Sequence, residues 1–233
     1  MKGVWRELAG LVLPVDCAGC GRPRTELCAE CLRALSRDGR GARRVRPWSV
    51  PAGLPRVWAG APYADEVRAV LLAHKERGAL RLARPLGTVL AGAVRGVGGG
   101  GGPLLLVPVP SARSAVAGRG HDPVRRIALA AAAELRRAGA GAQVLAVLRQ
   151  CRAVADQAGL SARQRLVNVA GALAVPGAAG RLLAGAPVVL VDDLMTTGAT
   201  LAEAARVVAA AGGRVVGAAV VAAPRSAFPV NGP

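Results

Sequence analysis

In the stretch Val188 to Leu201, VVLVDDLMTTGATL, an apolar run of strand length ends on two adjacent carboxylates, Asp192 and Asp193. It then breaks into a Thr/Gly turn that opens a helix from Ala199 to Ala211. The unpaired N–H groups of such a turn and helix start point at one spot, where the helix dipole also favours an anion. Thr196, Thr197 and Thr200 add hydroxyl donors, and Gly198 lets the backbone come close to a ligand. Ionised carboxylates only accept, so Asp192 and Asp193 repel a phosphate and suit the hydroxyls of a sugar beside it. The chemistry read from this segment is the binding of a ribose 5-phosphate. A capping Asp in an ordinary strand-turn-helix explains one acid, but not the pair followed by TTGAT.

Cysteine placement is a second chemical signal. Four of the five cysteines stand at Cys17, Cys20, Cys28 and Cys31, giving CAGC, seven intervening residues and CAEC. Each CxxC knuckle clips one edge of a tetrahedral Zn²⁺, and Gly19 and Gly21 ease the first tight turn. Arg22, Arg24 and Arg33 offset the negative charge of four thiolates around one Zn²⁺. Disulfides are disfavoured in a reducing cytosol, and a thiol redox site lacks its usual βαβ setting. The four cysteines are therefore read as ligands of a structural zinc ion, and Cys151 as a buried small apolar residue.

Elements that position these groups follow from periodicity. The chain divides into a cysteine-rich, zinc-ribbon-like module over 1–38, a connector over 39–56 and an α/β domain over 57–233. The segment from Arg33 to Pro55 is rich in Arg, Gly and Pro and lacks sustained periodicity. Strands are expected at Val57–Pro62, Pro103–Val109, Val144–Leu148, Val188–Val191 and Val215–Ala222, with a short strand or hairpin edge at Ala172–Val175. Helices are expected at Asp65–Arg77, Leu80–Val94, Pro123–Ala138 and Ser161–Val167, with Pro85 blurring the start of the second. Val67, Val70, Leu71 and His74 share related faces of the first helix, and His74 reads as a packed residue. The five-glycine run from Gly98 to Gly102 reads as a flexible surface loop. Short apolar strands alternating with helices imply a mostly parallel sheet covered on both faces, with ligands at the C-terminal ends of its strands.

Composition sets outer limits. A length of 233 residues with 52% apolar content supports one medium domain with a small appendage. The formal net charge is +17, with Lys only at Lys2 and Lys75 and Arg supplying the rest. That charge favours phosphorylated ligands or nucleic acid through the general field. Aromatics are only 2%, and no stacking platform can be read from Trp5, Trp48, Trp58, Tyr63 and Phe228. The longest apolar stretches are interrupted by Arg95, Arg206 or Arg214, short of the roughly 20 residues a membrane span needs. The start MKGVWRELAGLVLPVDC has the outline of a lipoprotein signal, but Glu7, Pro14 and Asp16 argue against it and favour a cytoplasmic protein.

VVLVDDLMTTGAT resembles the phosphoribosyl-pyrophosphate (PRPP) signature of the type I phosphoribosyltransferases: hydrophobic strand, acidic pair, TTG turn, then small and hydroxyl residues. Further segments resemble one family within that group, the ComF family of phosphoribosyltransferase-like proteins linked to competence and the use of external DNA. VPVPSARSAVAGRGHDPV, residues 107 to 124, is similar to its "PVP…RG(F)NQ" segment. QAGLSARQRLVN, residues 157 to 168, matches its pattern at Gln157, Leu160, Arg165 and Asn168. Tyr63, the HKERG segment around Lys75 and Gly78, and the cysteine module match as well. Only the connector and the glycine run lie outside the resemblance. Two departures from the family pattern stand out: His121-Asp122-Pro123 replaces Phe-Asn-Gln, and Leu173 replaces the Phe of "GAF". Asp122 is still a good N-cap and Pro123 a good first helical residue.

The resemblance implies a type I phosphoribosyltransferase fold binding PRPP or a related ribose-5-phosphate ligand with Mg²⁺. It assigns Asp192 and Asp193 to the ribose and metal-bound water, and Thr196, Thr197, Gly198, Ala199 and Thr200 to the 5-phosphate. Arg113 and Arg119 become pyrophosphate binders, since Arg engages phosphate bidentately, and Lys75 and Arg165 add further cations. Two functions remain open. One is an enzyme transferring phosphoribose in DNA uptake or processing. The other is a non-catalytic adaptor that binds a nucleotide or single-stranded DNA and docks a helicase or recombination partner.

Overall fold

The computed structural model describes residues 16–36, 41–98, 102–111, 113–152, 154 and 161–229, without the side chains of 113–115, 162 and 163. Helix α1 (Ala29–Ser36) follows the cysteine knuckles, and β1 (Arg43–Val45) comes next. Strand β2 (Val57–Pro62) leads through α2 (Asp65–Glu76) and a short 3₁₀ turn to α3 (Ala83–Val97). Strand β3 (Leu104–Pro108) precedes α4 (Arg113–Arg119) and α5 (Pro123–Arg137), and then come β4 (Ala142–Val144) and β5 (Arg149–Gln150). Helix α6 (Ala162–Val169), β6 (Leu173–Ala174) and α7 (Gly177–Gly180) lead into β7 (Pro187–Leu194), α8 (Ala199–Ala210) and β8 (Arg214–Ala223).

Six strands form one sheet in the order β1-β2-β8-β7-β3-β4, parallel throughout except for antiparallel β1. Strand β7 therefore sits in the interior, and its run Pro187–Val191 is buried without alternation, as a strand covered on both faces requires. Val189 and Val191 pack with α2, α3 and α5 on one face, and Val188 and Leu190 pack with α8 on the other. Helix α3 meets α5 closely because Gly87 faces Ala130, where an added Cβ would come within 2.5 Å of the Ala130 Cβ. This is the expected α/β fold with a mostly parallel sheet flanked by helices.

Local starts obey sequence chemistry. The Asp122 carboxylate accepts from the Arg125 N–H at 3.1 Å, and Pro123 occupies the first turn of α5. Ser161 and Gln164 close a reciprocal capping box at the start of α6. Pro85 falls in the first turn of α3, where its missing N–H has no intrahelical partner to lose.

Several expectations shift. The expected strand Val144–Leu148 is displaced: the ladder covers Ala142–Val144, because β4 lies at the sheet edge and the chain turns away to pair β5 with β6. Val147 and Leu148 keep their burial without a ladder. The connector carries β1, which pairs with β2, and the loop after Val109 contains helix α4. Cys151 is exposed, not buried, with its thiol donating to the Gly171 carbonyl at 3.3 Å. Gln157, Leu160 and most of the glycine run lie outside the described residues.

Candidate functional site

Strand β7 continues through both acids to Leu194, so Asp192 and Asp193 are successive strand residues and face opposite sides of the sheet. Asp193 shares the face of Val189 and Val191, toward α2, and is 7% exposed. There Lys75, near the end of α2, donates from Nζ to Asp193 Oδ2 at 3.1 Å. Asp192 shares the α8 face with Leu190, and its Oδ1 accepts the Asp193 backbone N–H at 2.8 Å. Burial, reinforced by the Asp193 charge and opposed by Lys75, pushes the Asp192 carboxyl well above the usual carboxylate range. Asp193, outweighing desolvation, holds the Lys75 ammonium above its ordinary value.

Immediately after Leu194 the chain makes the Thr/Gly turn. Gly198 adopts φ +78°, in the left-handed region, and caps α8 without any side-chain hydrogen bond. Thr197 Oγ1 accepts from the Ala199 N–H at 3.5 Å, while Thr196 is exposed and Thr200 half-buried in the first turn. Leu54 of the connector packs on Gly198, where an added Cβ would lie 2.9 Å from Leu54 Cδ2. The turn thus offers backbone donors and hydroxyls beside an acidic pair. A depression of about 490 Å³ runs along α8 between Gly53, Leu166 and Arg206, but it reaches the turn only at Ala199 and includes neither acid.

The basic residues named from the sequence divide by layer. Arg119 ends α4, and its Nη1 donates to Glu76 Oε1 at 2.8 Å, one residue from Lys75. Its side chain is 15% exposed, and its Nε is buried with no partner among the described residues. Arg165 stands on α6, which packs against α8 on the layer opposite α2, and its buried Nε is likewise unpartnered. The Arg113 side chain lies outside the described residues. Lys75 and Arg119 therefore converge beside Asp193, and Arg165 does not join them.

His74 is packed as the sequence suggested, 1% exposed, but sequence reasoning missed the acids that hold this arrangement and the contacts of His121. Glu76 fixes Arg119. His121 contacts the Arg119 carbonyl at 3.1 Å and the His74 carbonyl at 3.4 Å, and the two imidazoles meet edge-on at 6.0 Å. Burial, against two nearby carbonyls, lowers the buried His74 below the usual histidine range. Glu203 of α8 accepts the Gly171 N–H at 2.9 Å and two hydrogen bonds from Arg206, which lower its carboxyl below the usual range. Only the HKERG string hinted at Glu76, and nothing in the sequence paired Gly171 with Glu203.

At the other end, the sulfur atoms of Cys17, Cys20, Cys28 and Cys31 all lie within 4.8 Å of one another. Cys20 and Cys28 sulfurs are 3.7 Å apart. Zn–S bonds of about 2.3 Å in a tetrahedron require edges of about 3.8 Å, so the cluster fits a zinc ion. The Cys28 N–H donates to Cys17 Sγ at 3.3 Å and the Cys31 N–H to Cys28 Sγ at 3.5 Å, as donors to metal-bound thiolates do. Burial resists ionisation of Cys17, yet nearby backbone N–H groups lower its thiol to about 6. Burial and its cysteine neighbours push Cys31 up. Arg22 is paired with Glu30 at 2.7 Å beside this cluster.

Residues 128–229 match the family model of the phosphoribosyl transferase domain. The match takes in most of α5, the acidic pair, the Thr/Gly turn and β8, and it leaves the cysteine module, the connector and Lys75 outside. No curated protein matches the chain. Among the described residues no helix is long and apolar enough to cross a membrane.

Proposed function

We propose, on the premise of that match, that the end of β7 binds PRPP or a related ribose-5-phosphate ligand with Mg²⁺, in the manner of a type I phosphoribosyltransferase. The observation that carries this is the placement of Lys75 on Asp193 at 3.1 Å, next to a glycine-started helix whose cap has no side-chain acceptor. Thr196, Thr197, Gly198, Ala199 and Thr200 hold the 5-phosphate with backbone N–H groups and hydroxyls. Asp192 and Asp193 accept from the ribose hydroxyls and from metal-bound water. Carboxylate oxygens are the hard donors Mg²⁺ takes, and the ion supplies charge neutralisation to the diphosphate when bound. Arg119 and Lys75 reach the diphosphate as cations, with Arg113 on the same loop and Arg165 as a more distant contributor.

Where phosphoribose is transferred, pyrophosphate leaves C1 of the sugar as an acceptor attacks. The protein contributes position and fixed charge, so no nucleophilic triad is needed. The ComF resemblance sets this chemistry in DNA uptake or DNA processing, with the zinc module and the connector docking a DNA-processing partner. Calorimetry with PRPP and Mg²⁺ tests the ligand: the wild type binds and Asp192→Asn/Asp193→Asn does not. Absence of heat with the wild type defeats the proposal. Pyrophosphate release with a panel of bases then separates an enzyme from a nucleotide-sensing adaptor.

A further inference from the structure

His121 stands where the ComF pattern has a phenylalanine, so its two ring nitrogens are a feature of this chain that the resemblance does not supply. Both nitrogens meet main-chain carbonyls: Nδ1 lies 3.1 Å from the Arg119 oxygen and Nε2 lies 3.4 Å from the His74 oxygen. The first partner ends α4 and the second belongs to α2, so the ring bridges the two segments that carry Arg119 and Lys75 to Asp193. The bridge is answered from the other side, where His74 Nδ1 lies 3.2 Å from the Ala79 oxygen and Nε2 lies 3.4 Å from the Pro123 oxygen. Every nitrogen of the two rings therefore faces an acceptor.

A carbonyl only accepts, and a neutral imidazole donates from one nitrogen alone. His74 is buried, which holds it below the usual histidine range, so it is the ring that stays neutral and donates once. His121 is half-buried, and only its doubly protonated form donates to both of its carbonyls. The charged groups on the elements around it are largely paired already. Lys75 of α2 sits on Asp193 of β7, Glu76 of α2 holds Arg119 of α4, and Asp122 accepts the Arg125 N–H at the cap of α5. Arg77, Arg125 and Arg126 are exposed, where solvent screens them. A diphosphate arriving beside Lys75 and Arg119 breaks that balance, because added negative charge favours the protonated ring.

We infer that His121 is a positioning residue of the diphosphate site: as a doubly protonated ring it ties the end of α4 to α2, holds Arg119 in place and couples diphosphate binding to uptake of a proton from solvent. The inference rests on the ribose-phosphate reading of the β7 turn and adds a residue that acts through Arg119. Calorimetry on the full chain near neutral pH, in two buffers of different ionisation heat, tests it with inorganic pyrophosphate plus Mg²⁺ and with ribose 5-phosphate. The wild type takes up more of a proton per pyrophosphate bound than His121→Phe does, and ribose 5-phosphate shows no such difference. His121→Phe also weakens pyrophosphate binding about tenfold, the worth of a charge-assisted hydrogen bond, and leaves ribose 5-phosphate affinity unchanged. His121→Gln keeps a donor without a titrating charge, so it recovers part of the affinity and none of the proton uptake. Asp192 and the pyrophosphate itself titrate in all three proteins and cancel in the comparison. Equal proton uptake and affinity across the three overturns the inference and leaves the ribose-phosphate reading standing. So does an equal loss for both ligands with a fall in melting temperature, which makes His121 part of the fold alone. A wild type that binds neither ligand overturns both.

Discussion

The cysteine module and the acidic turn both crowd ionisable ligands together, but they do so over very different chain distances. Cys17, Cys20, Cys28 and Cys31 reach one another through two tight knuckles and a short return, and their sulfurs lie within 4.8 Å. The acids at the end of β7 depend on the whole domain: Lys75, 118 positions away in sequence, sits on Asp193, and Glu76 holds Arg119 from another loop. In the first case the four thiols gather in a segment with little core of its own, since Cys17, Cys28, Cys31 and Leu27 form a separate small cluster that a metal ion would complete. In the second the fold comes first, and the charges are mounted on a finished sheet.

The largest effect that this difference predicts is at the module. Cys31→Ser, at a site only 2% exposed, should release the metal and melt residues 16–36 while the sheet domain persists. Structural zinc sites contribute on the order of 10–16 kcal/mol of apparent binding energy near neutral pH. Metal analysis should find about one Zn²⁺ per chain in the wild type and essentially none in the variant. Hydrogen exchange should show protection lost around the knuckles alone. Metal-free protein with full protection there would erase the distinction between the two regions.

At the acidic turn a single substitution should leave the fold standing and remove ligand affinity. Asp193→Asn keeps the shape but deprives Lys75 of its charged partner. A hydrogen bond to a charged group is worth about 1.5–3 kcal/mol, so PRPP–Mg²⁺ affinity should fall by roughly ten- to a hundredfold. Calorimetry and thermal denaturation on the same sample separate the two readouts. A loss of melting temperature as large as that of the module variant would show that Asp193 serves the fold more than the site.

The same contrast explains what the sequence made legible. Both the CxxC pair and VDDLMTTGAT are local strings whose spacing carries their chemistry, and the parallel sheet followed from apolar runs at β2, β3, β7 and β8. Hidden from sequence were the contacts that close across the fold: Lys75 with Asp193, Arg119 with Glu76, and Gly171 with Glu203. Edge positions were hidden too. Strand β1 has only three residues and gains its pairing from β2, so no internal periodicity marks it. Strand β4 stops at Val144 although burial continues to Leu148, because burial and ladder pairing part company at an edge.

Gly198 joins the two scales, being read locally as a turn residue yet pressed by the distant Leu54. Gly198→Ala should destabilise the domain by about 1–2 kcal/mol, the cost of an L side chain in the left-handed region, with the contact at 2.9 Å adding to it. Thermal denaturation of Gly198→Ala and of Gly198→Ala/Leu54→Ala apportions the two causes. Recovery in the double variant assigns the cost to packing, and no recovery assigns it to backbone conformation.

The smallest expected effect concerns pH and has opposite signs for stability and for binding. The Asp192 carboxyl is raised in the folded protein by burial and by Asp193, relative to about 3.9 for an unfolded aspartate. Folding therefore takes up protons at this residue. The stability it contributes is fully present below the unfolded value and is lost as pH rises through the raised folded one. Asp192→Asn removes that dependence, so the variant should gain melting temperature over wild type near neutral pH and lose the gain in acid. The proposed ligand needs the ionised pair, so the same substitution should weaken PRPP–Mg²⁺ binding wherever it raises the melting temperature. A variant that lost both, or gained both, would mean that the Asp192 charge is not held against the fold for the sake of the ligand.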